Sequence, residues 1–244
     1  MTERETAAFR HEYYQLLVAL FRGEPGGELL RELARGAAGR AQAARSLNGA
    51  LAAGWEEVGR FLAGAVPGSL PESVRDEYTR LFIGPRGPEV NPYESYYLTG
   101  RLLDRPLAEI RGFLGNLGIE KQESYSEPED ALAFELEIVR WLIGRQLGAE
   151  SAEEEERFLG LQADFLVQHL LVWGLDCARD IQEAQGAAFY RGVAKILQGF
   201  LELEASLLRE RGVERIAPLE ARRRHYASFA TWKGPTFDPG GEKG

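Results

Sequence analysis

Apolar residues recur at helical spacing along most of this chain, and that periodicity limits the fold more than any other feature of the sequence. The clearest case is a stripe along one side of about four helical turns, formed by Phe189, Val193, Ile196, Leu197, Phe200 and Leu203. Segments in which apolar and polar residues alternate, as in a half-buried β-strand, are missing from the sequence. The sequence therefore predicts an all-α protein, a single globular bundle of about ten helices.

Several predicted helix starts carry a residue that is suited to capping. Ser69, Ser126 and Ser151 each stand three positions before a glutamate, which is the capping-box arrangement. Pro92 is expected at the first position of a short helix, and Asp104 is expected to cap the helix that follows. The predicted helices span residues 4–22, 27–36, 41–64, 70–82, 92–99, 105–117, 128–148, 152–171, 175–185 and 187–211.

The polar stretch 119–127 lacks apolar periodicity and predicts a linker or hinge between two helical halves, residues 1–118 and 128–211. Such a hinge would allow the halves to exchange between chains, so a monomer and a domain-swapped homodimer both remain open. Residues 212–244 form a C-terminal extension that is expected to be partly loose. The basic run that starts at Arg222 is interpreted there as the solvated end of a helix.

The composition narrows the class of function and the compartment. A formal net charge of −9 argues against a nucleic-acid partner, because binding to phosphates needs a basic face. Cys177 is the one cysteine, which excludes a disulfide within the chain and a cysteine-based zinc site. The N-terminal residues lack the apolar core of a signal peptide, and no apolar stretch approaches the roughly 20 residues of a membrane span. We therefore expect a cytoplasmic protein without stable membrane insertion.

The sequence shows no recognisable catalytic set, metal site or cofactor site. His11, His169 and His225 are scattered, and neither a phosphate-binding loop nor a dinucleotide fingerprint is found. Acids cluster around residues 120–137, and a hydrolase could use paired carboxylates, but no nucleophile accompanies them. An acidic surface is better suited to an apolar peptide that carries arginine, because guanidinium groups pair with carboxylates and stack on aromatic rings.

An aromatic segment rich in proline lies at 78–100, with the sequence YTRLFIGPRGPEVNPYESYYLTG. Proline restricts the backbone, so aromatic side chains held there would lose little entropy on binding a flexible peptide. Another possibility is a structural corner, in which Phe82 and Tyr97 belong to the core. Leu81 and Phe82 are favoured as core residues by this reasoning.

Three stretches resemble the signatures of the TorD/DmsD/NarJ family of redox-enzyme maturation chaperones. The first is Tyr78-Thr-Arg-Leu-Phe-Ile-Gly-Pro followed by Pro92-Tyr-Glu-Ser-Tyr-Tyr-Leu, and the second is Glu127-Pro-Glu-Asp. The third is His169-Leu with Trp173, followed by Ala-Ala-Phe-Tyr at 187–190. The resemblance extends over residues 10–210, which is most of the chain.

The resemblance implies a TorD-like helical fold and a function without catalysis or a resident cofactor. Members of this family bind the twin-arginine signal peptide, and other parts, of the catalytic subunit of a molybdenum-cofactor oxidoreductase. They hold this subunit in the cytoplasm until the cofactor is inserted, and then allow its export. The alternative is a stable accessory subunit, itself non-catalytic, of a cytoplasmic redox-enzyme complex.

The resemblance also implies a client-binding surface, for which Tyr93, Glu94 and Asp130 are the favoured functional residues. Many members have histidine where this chain has Ala131, so one polar contact is expected to be missing. The full predicted set is Tyr78, Leu81, Phe82, Pro92, Tyr93, Glu94, Ser95, Tyr97, Glu129 and Asp130.

Overall fold

Helices make up the regular structure of this chain. A computed structural model describes residues 2–64, 70–84, 87–122, 125–213 and 216–230. Within those ranges there are eleven α-helices, one π-helical segment and an isolated β-bridge between Tyr93 and Ala131. The prediction of an all-α fold is confirmed. The predicted cap at Ser69, Pro85 of the aromatic segment and residues 231–244 lie outside the described residues.

The helices are, in chain order, α1 (Glu3–Phe21), α2 (Gly27–Ala44), α3 (Gly49–Gly64), α4 (Leu70–Phe82), α5 (Glu94–Thr99), α6 (Arg105–Asn116), α7 (Leu132–Leu147), α8 (Ala152–Phe165), the π segment (Leu166–Leu170), α9 (Leu171–Glu183), α10 (Phe189–Glu210) and α11 (Leu219–Ala230).

One core lies between helices from both sides of the predicted linker. Helix α10 packs against α3 and α9, α1 packs against α7, and α2 covers α3. The largest side chains of this core, Trp55, Trp173 and Tyr190, are fully buried. The division of the chain at 119–127 stays a prediction, but the helices on its two sides contribute to a common interior.

Glycines allow α3 and α10 to approach closely. A Cβ on Gly54 would lie 2.6 Å from the backbone nitrogen of Ile196, and one on Gly199 would lie 2.3 Å from the backbone nitrogen of Leu51. A third glycine, Gly192, faces the α3 backbone in the same way. Because real Cβ atoms do not fit at such distances, the two helix backbones are in contact where these glycines lie.

A buried polar network joins α1 to α10 and α8. The guanidinium of Arg10 donates to both carboxylate oxygens of Glu204, at 2.6 and 2.7 Å, and to Gln162 at 2.9 Å. The hydroxyl of Tyr14 donates to the same carboxylate at 3.1 Å. Such a pair must be bidentate and fully bonded to offset the cost of removing both charges from water.

The start of α10 depends on a carboxylate from α4. The N-terminus of α10 is buried, and its N-cap residue, Ala188, has no side chain that can accept a hydrogen bond. Glu77 accepts instead from the backbone N–H groups of Ala188, Phe189 and Tyr190, at 2.8 to 3.1 Å. A negative charge at this end of a helix is also favoured by the helix dipole.

Two predicted helix breaks are wrong, and glycine misled the prediction in both cases. Helix α2 continues past Gly36 and Gly39 to Ala44, because Ala37 and Ala41 keep its apolar face buried. The predicted break at Trp173-Gly174 is absent, and the helix runs from Ala152 through the π segment to Glu183. Gly174 serves close packing, since a Cβ there would lie 2.9 Å from Leu201 Cδ1.

The predicted caps had mixed outcomes. Asp104 and Ser151 accept from the first-turn N–H groups of α6 and α8, as predicted. Pro92 precedes α5, which begins at Glu94, so its predicted position inside the helix is wrong. Ser126 does not cap α7, which begins at Leu132.

The continuous helix 152–183 also qualifies the expectation about membrane spans. It contains an 18-residue window with a mean hydropathy of 1.3, which by length and composition could cross a membrane. In the folded chain 56% of that window is buried. Because the core helix of a soluble protein passes the same test, this is weak evidence for a span.

The C-terminal basic run differs from the expectation of a solvated helix end. Helix α11 packs against α5 and α9, with Leu219 and Tyr226 buried. Arg222 and Arg223 donate hydrogen bonds to other helices, whereas Arg224 is exposed. Two of these three arginines therefore contribute to docking α11.

Substituting Gly199 with alanine is expected to destabilise the chain by about 1–3 kcal/mol, because the added methyl meets the backbone of α3, which cannot rotate away. Urea denaturation followed by circular dichroism measures the change. Gly160→Ala is the matched control, since no atom lies within 4 Å of its Cβ position. The control should gain about 0.5–1 kcal/mol from helix propensity. Equal effects of both substitutions would refute the close backbone contact.

Glu135 of α7 is fully buried and accepts hydrogen bonds from Trp173 Nε1 at 3.1 and 3.2 Å. Burial, reinforced by the nearby charge of Glu94, raises the pKa of Glu135 well above its ordinary value. The native state therefore retains this proton to a higher pH than the unfolded chain does. Its contribution to stability is present below the ordinary pKa and is lost as pH rises through the native pKa.

The parent chain is expected to lose stability as pH rises, because Glu135 must give up its proton. The Glu135→Gln variant has no proton to lose at this position, so it should not show this loss. The difference in unfolding free energy, parent minus variant, should fall as pH rises above the ordinary pKa of glutamate. Urea titrations at several pH values measure it. Glu156→Gln, on the exposed face of α8, is the control and should show a nearly constant difference. A constant difference for Glu135→Gln as well would contradict the raised pKa.

Candidate functional site

The α4 signature has an inward face and an outward face. Leu81 is fully buried, and Arg80 donates to the carbonyl groups of Gln185 and Gly186 just before α10. Tyr78 and Phe82 are only partly buried, with ring centroids 5.1 Å apart. The structure thus places Leu81 in the core, as favoured from the sequence. Phe82 was favoured as a core residue too, but it is only partly buried and lines a surface cavity together with Tyr78.

Asp130 holds the start of α5. Its Oδ2 accepts from the backbone N–H of Ser95 at 3.1 Å, and its carbonyl accepts from that of Glu94 at 2.9 Å. Asp130 is only 1% exposed. Together with the bridge from Tyr93 to Ala131, these bonds fix α5 against the start of α7. Asp130 is therefore placed to position α5, and it is not accessible to a partner in this conformation.

The acid of the α5 signature is also internal. Glu94 is fully buried, and its Oε2 lies 2.9 Å from His169 Nδ1 in the π segment. Burial raises the pKa of Glu94, although His169 acts in the opposite direction. Ser95 is buried beside it, and the Tyr97 hydroxyl donates to Asp180 at 2.7 Å. These three predicted site residues form a layer beneath the surface.

Glu129 is held by cations of the same chain. Its Oε2 accepts from Arg111 Nη2 at 3.0 Å, and the Nζ of Lys121 lies 3.9 Å away. The residue is 7% exposed. In this arrangement its charge is already paired, which leaves little of it for an incoming group.

The remaining predicted residues meet at a cavity of about 270 Å³ between α1, α4 and the start of α7. Tyr78, Phe82, Pro92 and Tyr93 all line it. The other walls are formed by Phe21, Arg22, Gly23, Glu24, Ile83, Tyr125, Glu127, Ala131, Leu132 and Ala133. Ala131 places a methyl group at this wall, in the position where the family's histidine is expected.

A second cavity, of about 380 Å³, adjoins the first, and Arg22, Tyr125 and Ala133 line both. The guanidinium of Arg22 lies over the Tyr125 ring, 5.0 Å from its centroid, at this junction. The apolar walls of the second cavity come from Val18, Leu114, Ile119, Phe134, Ile138 and Trp141. We call the two cavities together the groove.

The groove carries carboxylates at both ends. Glu24 and Glu127 line the first cavity, and Glu120 and Glu137 line the second. The Tyr93 hydroxyl donates to Glu127 Oε2 at 2.7 Å. Burial, together with the charge of Glu127, raises the pKa of Tyr78 to about 12, so its hydroxyl stays protonated at neutral pH.

Sequence reasoning missed the residues that α1, α6 and α7 contribute to the groove. Arg22 and Glu24 follow the end of α1, and Trp141 lies on α7, far from the signatures along the chain. The acidic cluster at 120–137 did give a signal in the sequence, since Glu120, Glu127 and Glu137 all line the groove. Tyr125 gave another, as an aromatic residue in the mostly polar stretch 119–127. The residues after α1 reach the groove through packing and have no pattern of their own in the sequence.

The groove combines an apolar floor with aromatic and acidic side chains, which are the kinds of side chain that bind peptides. Among the described residues, no group of three His, Cys, Asp or Glu side chains is arranged to hold a metal ion. Cys177 is fully buried, and burial raises the pKa of its thiol, which disfavours the nucleophilic thiolate. Aromatic rings and carboxylates around an apolar floor suit a segment that combines apolar side chains with positive charge.

Comparison with known proteins identifies relatives of this chain. The family described as nitrate reductase delta subunit matches residues 41–179, more than half of the chain. The protein named "Chaperone protein TorD" from Vibrio parahaemolyticus is 28% identical over 134 residues, which cover 54% of this chain and 62% of the relative. The protein of the same name from Aeromonas salmonicida is 34% identical over 119 residues, covering 49% and 54% respectively.

These matches span less than two thirds of the length of either relative. The family match nevertheless includes α4, α5 and the Asp130 segment, so the first two signatures and the groove residues of α4 and α7 lie within it. The chain therefore belongs to the nitrate reductase delta subunit family, the TorD-like group that its signatures predicted.

Proposed function

We propose that this protein is a cytoplasmic chaperone for a molybdenum-cofactor oxidoreductase. In this proposal it binds the twin-arginine signal peptide, the apo catalytic subunit or both, and holds the client until cofactor insertion and export. The relatives are named as chaperones, which supports a chaperone function for this chain. The single observation that carries the proposal is that the segments of two signatures meet at one open groove.

The shape of the groove is suited to an extended segment with two kinds of side chain. The second cavity offers an apolar floor that includes Ile119, Phe134 and Trp141. The first cavity offers aromatic walls together with Glu24 and Glu127. Arginine is the natural occupant of such a wall, because its planar guanidinium pairs with carboxylates and stacks on rings. A signal peptide supplies both an arginine pair and apolar side chains.

The aromatic wall is already ordered before any partner binds. The ring of Phe82 lies 5.1 Å from those of Tyr78 and Tyr190, and 6.0 Å from that of Phe21. Because these rings support each other, a flexible peptide would lose its own entropy on binding but would cost the wall little. This preorganisation supports recognition of unfolded or extended clients.

The family description supports a second candidate, a stable accessory subunit of a redox-enzyme complex. A tagged pull-down from the native host, analysed by mass spectrometry, distinguishes the two. An immature catalytic subunit that is released on cofactor insertion identifies a chaperone and its client. A mature enzyme that retains this chain at a fixed ratio identifies a subunit.

Glu127→Gln is expected to weaken binding of a fluorescent twin-arginine signal peptide about five- to tenfold, because a carboxylate that can pair with arginine is lost from the first cavity. Fluorescence anisotropy measures the Kd, and circular dichroism checks that the helix content is unchanged. Glu156→Gln removes the same charge on the exposed face of α8 and should leave the Kd unchanged. The same Kd for both variants would exclude Glu127 from the site.

A further inference from the structure

Two consecutive arginines of α11 are docked on the chain's own surface. Arg222 Nη2 donates to Glu109 Oε2 of α6 and to the carbonyl of Gln168, both at 3.2 Å. Arg223 Nε donates to the carbonyl of Tyr97, in the middle of α5, with a distance of 2.7 Å. A carboxylate and two main-chain carbonyls, from three different elements, thus form an acceptor set for an arginine pair.

An aromatic residue completes this docking. Tyr226 is 5% exposed and lies one helical turn after Arg222. Its hydroxyl donates to the same oxygen of Glu109, at 2.6 Å. We call the face formed by Glu109, Gln168 and α5 the arginine-pair surface. It is separate from the groove, because none of these residues lines either cavity.

When α11 is docked on this surface, some buried polar atoms lack hydrogen-bond partners. Among the described side chains, the Nε of Arg222 is buried without a partner. Oε1 of the fully buried Glu94, which belongs to α5, also lacks one. Each buried, unsatisfied group weakens the docked state, because its hydration is lost without replacement.

We propose that α11 is an internal ligand of the arginine-pair surface, and that a client segment with two consecutive arginines displaces it. This inference rests on the proposed function and adds a second site and a means of regulating it. In the docked state Arg222 Nη2 reaches two acceptors of this surface and Arg223 Nε reaches a third, so the surface holds two neighbouring cationic side chains. While α11 is docked, the surface is closed to the client.

Displacement has a measurable consequence for affinity. The apparent Kd of a competing peptide equals its intrinsic Kd divided by the fraction of molecules in which α11 is undocked. A variant that loosens α11 without altering the surface should therefore bind the peptide more tightly. Arg222→Gln is such a variant, because it removes the two hydrogen bonds from Arg222 that hold α11 to Glu109 and to the carbonyl of Gln168.

The experiment uses the full chain and a short fluorescent peptide with two adjacent arginines. Arg222→Gln is expected to lower the apparent Kd by about five- to tenfold. Arg224→Gln removes the same charge from an exposed position of the same helix and should leave the Kd unchanged.

Hydrogen exchange of the parent chain provides a second measurement. Adding the diarginine peptide should speed exchange of the backbone amides of 219–230, whereas a peptide that binds only in the groove would leave them unchanged. Equal Kd values for Arg222→Gln and Arg224→Gln, with no change in exchange of α11, would overturn this inference and leave the proposed function intact. Faster exchange of α11 together with no effect of Glu127→Gln would instead support the arginine-pair surface and refute the groove.

Discussion

Carboxylates from distant segments close the buried N-termini of two helices, and the rest of the structure depends on this arrangement. A helix leaves its first N–H groups without partners, and a buried helix start cannot satisfy them with water. Asp130 supplies the acceptor for α5, and Glu77 supplies it for α10. Each carboxylate thereby fixes a helix to an element more than thirty residues away in the chain.

This requirement explains why residues of one signature act in two ways. Glu77, just before the α4 signature, accepts from the start of α10, Arg80 donates to the residues before α10, and Leu81 is buried. Tyr78 and Phe82 of the same helix line the groove. The α5 signature is divided similarly, with Glu94 paired to His169 and Tyr93 at the groove wall. In this fold a short motif therefore contains, within one helical turn, a buried residue that holds a neighbouring element and a residue that lines the groove.

The fold class could be predicted from the sequence because apolar periodicity is a local property that packing reinforces. Asp104 and Ser151 were predicted correctly as caps for the same reason. The helix breaks predicted near Gly36 and Gly174 are wrong. A sequence does not show whether a glycine is present for its backbone freedom, which ends a helix, or for its small size, which allows close packing. The groove could be predicted only in part, because Arg22 and Trp141 reach it through tertiary packing. Burial of Glu94 and Asp130 likewise depends on partners that no local pattern reveals.

The glycine contacts between α3 and α10 make that side of the protein rigid, whereas the side that carries α11 is held less tightly. Where two backbones touch, neither helix can slide or rotate without a steric clash, so the contacts at Gly54 and Gly199 fix α3 and α10 relative to each other. Side chains alone hold α11 on the surface of the bundle, and side chains can exchange one set of partners for another. Displacement of α11 is therefore expected to move this side of the chain alone, while the contact between α3 and α10 stays unchanged.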